Sequence, residues 1–271
     1  MFGHNKVMVP KNYSAEPAAS LKITSIFHTL QGEGPFSGTP CCFVRLTGCN
    51  LQCSFCDTYF DAGDTLPFQE IFDLIRVAFA KFYVQRAIMP PVYPKNFLLV
   101  ITGGEPLNQP NLTAFLEEAH RRGFSTQIES NGTIERKLPA ETFLVCSPKI
   151  NEKITQFVRP VMLPRADALK FVISATMPGY TEVPQFALDW LEENPGKLYL
   201  SPMNTYSTQP VKLGADGTLE GRSEIDERIS FWAFGLLDMR TNQANHEHAA
   251  ELALLHGCKL TLQAHLMASL P

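Results

Sequence analysis

The sequence predicts an α/β fold built on a mostly parallel sheet, open or closed into a barrel. Three observations carry this prediction. Short apolar runs rich in β-branched residues and phenylalanine recur along the chain. Amphipathic helical stripes lie between several of them, and polar or glycine-bearing residues gather where the runs end. Alternating strands and helices argue for parallel pairing. In parallel α/β folds the C-terminal edge of the sheet is where ligands bind.

Taken in order, residues 1–20 are polar, hold two prolines and lack a sustained period, so a flexible N-terminal tail is expected there. Residues 21–271 are expected to form a single domain. Strands are expected at CCFVRL (41–46), FLLVIT (97–102), FSTQIE (124–129), FLVC (143–146), LKFVIS (169–174), KLYLS (197–201) and KLTLQA (259–264). A helix is expected over 67–86, where Phe68, Ile71, Phe72, Ile75, Ala78, Phe79 and Phe82 form one stripe. Leu112, Phe115, Leu116 and Ala119 repeat in the same way, as do Val183, Phe186, Ala187, Trp190 and Leu191. The strand ends read RLTGC, ITGGEP, IESNGT, VCSPK and YLSPMN, which points to one shared pocket. Residues 86–96 and 204–245 break the alternation and are expected to be insertions. The closing KLTLQAHLMASLP reads as a last strand followed by a short helical turn.

Composition narrows the function. The 271 residues are 45% hydrophobic and 18% charged, as in an ordinary soluble globular protein. A formal net charge of −4 argues against a protein that grips nucleic acid by its phosphates. No run of about 18 apolar residues marks a membrane span, and the N-terminus lacks an apolar signal-peptide core. A cytoplasmic protein is expected.

The seven cysteines are unevenly placed and do not read as a disulfide framework. Cys41, Cys42, Cys146 and Cys258 lie in or beside apolar stretches and read as small buried hydrophobes. Cys49, Cys53 and Cys56 are different, because CNLQCSFC holds three thiols within eight positions. A structural zinc site wants four ligands in a closed tetrahedron, for which His28 is the available fourth. A 4Fe–4S cluster also takes four ligands, normally thiolates, so three leave one iron open to an exogenous chelating group.

CNLQCSFC has the C-x₃-C-x-aromatic-C form and resembles the radical S-adenosylmethionine superfamily, whose second signature is matched by TGGEP (102–106). The resemblance implies a partial (β/α) TIM-like barrel of the radical SAM type, here with two insertions. It also implies a 4Fe–4S cluster on Cys49, Cys53 and Cys56, with S-adenosyl-L-methionine (SAM) chelating the open iron. TLQGEGPFSGTPCCFVRLTGCNLQCSFCDT is similar, nearly end to end, to the opening of the 7-carboxy-7-deazaguanine synthase family. That similarity runs through ITGGEP, IESNGT and SPK, and weakens to SPMN and the C-terminal QAHLMASLP. It covers the chain from about residue 22, apart from the two insertions.

The family resemblance implies a ring contraction of 6-carboxy-5,6,7,8-tetrahydropterin to 7-carboxy-7-deazaguanine with loss of ammonia, on the way to queuosine. A 5′-deoxyadenosyl radical takes hydrogen from C6 of the pterin, and the cofactor is regenerated. It assigns SAM to Phe55, Asp57, Gly104, Ser147, Pro148, Lys149, Ser201, Pro202, Met203 and Asn204. It assigns the pterin to Leu30, Gln31, Gly32, Glu33, Arg45, Thr102 and the terminal carboxylate of Pro271. Mg²⁺ falls to Thr58. It further implies a flavodoxin-like electron donor and a homodimer.

Blander readings stand beside these. LQGEG also reads as a glycine-permitted turn, Thr58 as a cap on the next turn, and Lys149 as a solvated charge. Arg45 shares a strand face with Phe43, where a guanidinium needs a partner; that partner is either a substrate carboxylate or one of Glu33 and Glu105. Two other classes of protein carry similar cysteines: a radical SAM activase that places a radical on a partner's glycine, and a non-catalytic zinc or iron–sulfur protein.

Overall fold

The computed structural model of the chain describes residues 17–150, 158–205 and 238–264. Among them the elements run β1 (Ser20–Leu30), β2 (Pro40–Leu46), β3 (Asp64–Pro67), α1 (Phe68–Val84), β4 (Leu98–Gly103), α2 (Leu112–Arg121), β5 (Ser125–Ser130), β6 (Phe143–Cys146), β7 (Ala168–Ile173), α3 (Gln185–Glu193), β8 (Leu198–Pro202), α4 (Met239–His256) and β9 (Lys259–Leu260). They form one sheet in the order β3-β1-β2-β4-β5-β6-β7-β8-β9. From β2 onward each neighbouring pair is parallel. β1 is antiparallel to both β2 and β3. The α/β class and the mostly parallel sheet are as expected from the sequence.

The β1 and β9 sides of the sheet are joined by a turn instead of a strand pair. Gly34 N donates to Thr261 Oγ1 at 2.8 Å and Ala264 N to Gly32 O at 3.1 Å. The turn after β1 therefore lies against the segment after β9. This also explains why KLTLQA yields only a two-residue strand: past Leu260 its polar groups serve the turn.

The helices form because their stripes have a sheet to cover. Phe68, Ile71, Phe72, Ile75 and Phe79 of α1 are buried, and Leu112, Phe115, Leu116 and Ala119 of α2 are wholly so. The Phe72 and Phe115 rings stack at 5.1 Å. Removing so large a buried ring costs about 3–5 kcal/mol. These side chains meet the outward-facing residues of the strands, including Val44, Leu46, Leu99, Ile101, Ile128 and Phe171, in the main core.

The sequence runs did not single out β1, β3 or α4. β1 mixes Thr24, Ser25, His28 and Thr29 into its alternation, and shifts register between Ile23 and Ser25. α4 has Asp238 as its N-cap, accepting from Thr241 N at 3.1 Å, and ends at Gly257 with φ of 66°. Its inward face is polar in the first half, where Asn245 Oδ1 accepts from Ala175 N at 2.8 Å and from Ser174 Oγ at 3.1 Å, and its amide donates to Met203 O at 2.8 Å; Ala249 and Ala253 join the core further on. Of the expected insertion at 204–245, residues 206–237 lie outside the described residues, and 239–245 begin α4. In 86–96, Tyr93 packs on Phe79 and Phe97, while Met89 and Val92 are exposed. The described residues contain no helix long and apolar enough to cross a membrane.

The pleat sorts the inner face of the sheet. Cys41, Leu98 and Val100 pack there with Phe36 and Phe43, and Val145, Ala168 and Tyr199 with Phe143. Further along the same face come Arg45, Thr102, Lys170 and Ser201, each two residues past an apolar predecessor, and Glu129, two residues past the buried Gln127. One end of the interior is thus apolar, and the C-terminal end is charged.

Candidate active site

That charged end opens into a cavity of about 240 Å³. Its wall includes Gln31, Glu33, Arg45, Cys49, Cys53, Phe55, Cys56, Asp57, Thr58, Thr102, Gly104, Ser147, Lys149, Ser201, Pro202, Met203 and Asn204. The sequence had singled out each of these. Leu30, Gly32 and Pro148 do not line it. Gly32 instead accepts Ala264 N through its carbonyl. Pro271 lies outside the described residues. Phe43, Leu51, Phe60, Glu129, Lys170, Val172 and Gln263 line the cavity without having been expected to.

The cysteine loop leaves β2 through Gly48, whose N–H donates to Phe60 O at 2.9 Å. Cys56 N donates to Cys53 O at 3.2 Å, a tight turn that brings the three thiols onto one wall. The glycine turn after β4 is pinned directly beneath: Gly104 N donates to Leu46 O at 3.1 Å and Glu105 N to Gly48 O at 2.8 Å. Gly103 has φ of 119°, which L side chains rarely adopt. A Cβ on Gly104 would fall 1.8 Å from Gly48 O. Glu105 is fully buried and ties this turn to the end of β5, accepting from Leu107 N at 3.0 Å, Ser130 Oγ at 2.8 Å and Asn131 N at 2.7 Å. Asn131 in turn donates to Asn50 Oδ1, next to Cys49, at 2.9 Å.

The three thiols fit an iron–sulfur cluster better than zinc. His28 is turned away, its Nδ1 bonded to Cys41 O at 2.9 Å and its ring among Phe79, Phe82 and Phe97. Among the described residues no group of three or more His, Cys, Asp or Glu side chains is arranged around a single metal ion. Burial pushes the Cys49 thiol up to about 12 and that of Cys56 up to about 11, and raises that of Cys53 against the pull of Lys149. Thiols so desolvated become thiolates when a cationic group binds them.

Arg45 pairs with neither candidate carboxylate. Glu105 is engaged as above, and Glu33 accepts from Lys170 Nζ and from Ser201 Oγ at 2.9 Å. The Arg45 guanidinium lies 4.8 Å from the Phe27 ring centre, and its buried Nε has no hydrogen-bond partner. Burial pulls its pKa below the usual value, against the attraction of Asp57, Cys56 and Glu129. A buried donor left over in a cavity wall is suited to an anionic ligand.

Lys149 is no solvated charge: its Nζ donates to Ser147 O at 2.8 Å and Ser147 Oγ at 2.6 Å. Phe55 packs edge-on against Tyr180 at 5.0 Å, which holds that ring upright at the cavity wall. Thr58 Oγ1 donates to Asp57 Oδ1 at 3.1 Å, and Gln263 Nε2 reaches Asp57 Oδ2 at 3.3 Å.

Known proteins resemble this chain. The family model of the Radical SAM superfamily matches residues 43–142. The chain is 32% identical over 265 residues to the 7-carboxy-7-deazaguanine synthase of Rickettsia prowazekii, covering 98% of this chain and 94% of the relative. It is 43% identical over 180 residues to that of Rhodospirillum rubrum, covering 65% of this chain and 66% of the relative. Among solved structures, the crystal structure of QueE from Escherichia coli has the same fold, with a TM-score of 0.58 at 21% identity; the match covers 91% of this chain and 95% of that one.

Proposed function

The chain belongs to the 7-carboxy-7-deazaguanine synthase family of radical SAM enzymes, and we propose that its cavity contracts the ring of 6-carboxy-5,6,7,8-tetrahydropterin to 7-carboxy-7-deazaguanine. The product serves queuosine and related deazapurine synthesis. Membership of the family implies a 4Fe–4S cluster and SAM. The observation that carries the reading is the pairing, in one cavity, of Arg45, whose buried Nε has no hydrogen-bond partner, with a carboxylate-rich wall, beside a three-cysteine loop braced on a glycine turn. A flat ring with a carboxylate at one end and N–H donors at the other matches that polarity.

When bound, the cluster and SAM supply a carbon-centred radical able to take one hydrogen atom from a C–H bond. The chain's own residues bind and orient. Cys49, Cys53 and Cys56 hold the cluster. Phe55, Asp57, Gly104, Ser147, Lys149 and Ser201 to Asn204 hold SAM, with Gly104 offering backbone where a side chain has no room. Arg45 grips the substrate carboxylate with its planar fork. Gln31, Glu33 and Thr102 meet the ring. Thr58 would supply one oxygen to Mg²⁺, a cation that takes few protein ligands and would add positive charge for the anionic substrate. Phe43, Phe60 and Val172 help keep the cavity dry, which limits side reactions of a reactive carbon centre.

A flavodoxin-like electron donor, a homodimeric state and a cytoplasmic location belong to the same reading and are supported by the family resemblance. The activase alternative is not favoured, because the curated relatives share one activity. The deciding experiment is anaerobic reconstitution with iron, sulfide, SAM, dithionite and the carboxytetrahydropterin, followed by mass spectrometry for 7-carboxy-7-deazaguanine. A fully loaded protein that leaves the pterin unchanged overturns the proposal.

A further inference from the structure

We propose that Lys170 is a positioning residue that holds Glu33 and Glu129 as a fixed pair of ionised acceptors, so that the cavity selects a ring edge bearing N–H donors. The proposal rests on the pterin reading above and adds to it a residue that decides which heterocycle fits.

Lys170 stands on the inner face of β7 and is 4% exposed. Its Nζ bridges the two carboxylates, donating to Glu33 Oε2 and, at 2.8 Å, to Glu129 Oε2. The remaining oxygens are also steered. Ser201 Oγ donates to Glu33 Oε1 at 2.9 Å, and Gln31 Nε2 and Gln127 Nε2 donate to Glu129 Oε1 at 3.0 and 3.1 Å. Residues from the β1 turn, β5, β7 and β8 thus converge on one group, and Glu33, Glu129 and Lys170 all line the cavity.

Two carboxylates sharing one low-dielectric site tend to share a proton, because both cannot ionise cheaply. The ammonium between them removes that constraint. Burial works against its charge, yet Glu129 and Glu33 outweigh burial and raise the Lys170 pKa above the ordinary lysine value. Arg45 from β2 and Lys149 after β6 are further cationic groups facing Glu129. With Lys170 in place, both carboxylates face an ammonium donor; a neutral residue there leaves two carboxylates facing each other, the arrangement in which one tends to hold a proton and donate. A purely stabilising role fits poorly, since buried ion clusters rarely outperform apolar packing. A role in selection fits well, because a wall of fixed acceptors rejects any ring that presents an oxygen there.

The test uses cluster-loaded protein with SAM under anaerobic conditions, titrated by fluorescence with two aromatic probes. Pterin-6-carboxylate carries a 2-amino group, and lumazine-6-carboxylate carries an oxygen in its place. Wild type is expected to prefer the amino probe by about 100-fold or more. In Lys170→Met the preference should fall to roughly tenfold or less, since a protonated glutamate can donate to the oxo group. SAM affinity should be unchanged, and Lys170→Arg should restore the preference. If Lys170→Met does not fold, Lys170→Gln, which keeps a donor but no charge, is read in the same way. An unchanged preference in the neutral variant overturns the proposal, as does equal weakening of both probes. If wild-type protein binds neither probe nor the carboxytetrahydropterin, it is the substrate reading that fails.

Discussion

The carbonyl oxygen of Gly48 occupies the place that a side chain on residue 104 would need, 1.8 Å from the position of its Cβ. The cysteine loop and the glycine turn are therefore one mechanical unit, held at van der Waals contact. Gly104→Ala should push them apart. Overpacking of about 1–3 kcal/mol corresponds to roughly a 5- to 150-fold loss of SAM affinity. Calorimetry on cluster-loaded protein checks this, and wild-type affinity would mean that the loops yield freely.

Cys49→Ala, Cys53→Ala and Cys56→Ala should each abolish activity, while Cys146→Ala should keep most of it. Only the first three line the cavity; Cys146 is buried beyond it. Iron and sulfide analysis of each variant is the check. A normal cluster content in Cys53→Ala would refute the ligand assignment.

Arg45→Lys should be far from conservative. Lysine keeps the charge and loses the fork that a carboxylate needs. A loss of about 1.5–3 kcal/mol raises the substrate Kd roughly 10- to 150-fold. SAM binding should hardly change, and equal weakening of both ligands would make Arg45 a support of the fold.

Thr58→Ala should lower turnover and shift the response to added Mg²⁺, since one oxygen ligand is lost from a cation with few protein ligands. Activity measured across a magnesium titration decides it. Overlaying curves for the variant and wild type would refute the magnesium assignment of Thr58.

Glu105 gives a prediction in pH. Burial raises its carboxyl above the ordinary carboxylate value, against the pull of its bonds to Asn131, Leu107 and Ser130. The folded state then holds the proton more tightly than the unfolded chain. Its contribution to stability is complete below about pH 4.3 and is lost as pH rises through the folded value. Glu105→Gln, which cannot serve all three donors, should cost about 1–3 kcal/mol. That cost should shrink from acid toward neutral pH. Thermal melts of both proteins at several pH values test it; a gap that widens with pH contradicts the sign.

Much of the site was legible because its backbone dictates residue type. Gly103 and Gly104 sit where a side chain would meet backbone at 2.1 and 1.8 Å, and three thiols in one loop have few uses. Lys170 and Glu129 were not legible. On a strand, a charged residue between apolar ones reads as the solvent face, and the pattern LKFVIS is the same whether that face meets water or a closed cavity. α4 was hidden for a related reason: Asn242 and Asn245 do the work of core residues through hydrogen bonds, so no apolar period marks the first half of its inward side. β1 escaped because serine, threonine and histidine break its alternation.

The bond from Gly34 to Thr261 spans 227 residues. Closing a loop of that size costs entropy before any contact repays it. The turn that carries Gln31 and Glu33 closes locally through Gln31 N to Thr39 O and Gly38 N to Gln31 O, and it gains its anchor across the sheet only after residues 261–264 have been synthesised and docked. A nascent chain can fold its cysteine loop well before then, since Leu46, Gly48 and Gly104 lie close in sequence. During synthesis, then, competence to load a cluster precedes competence to recognise a substrate, and proteolysis before residue 261 should leave a brown protein blind to its pterin.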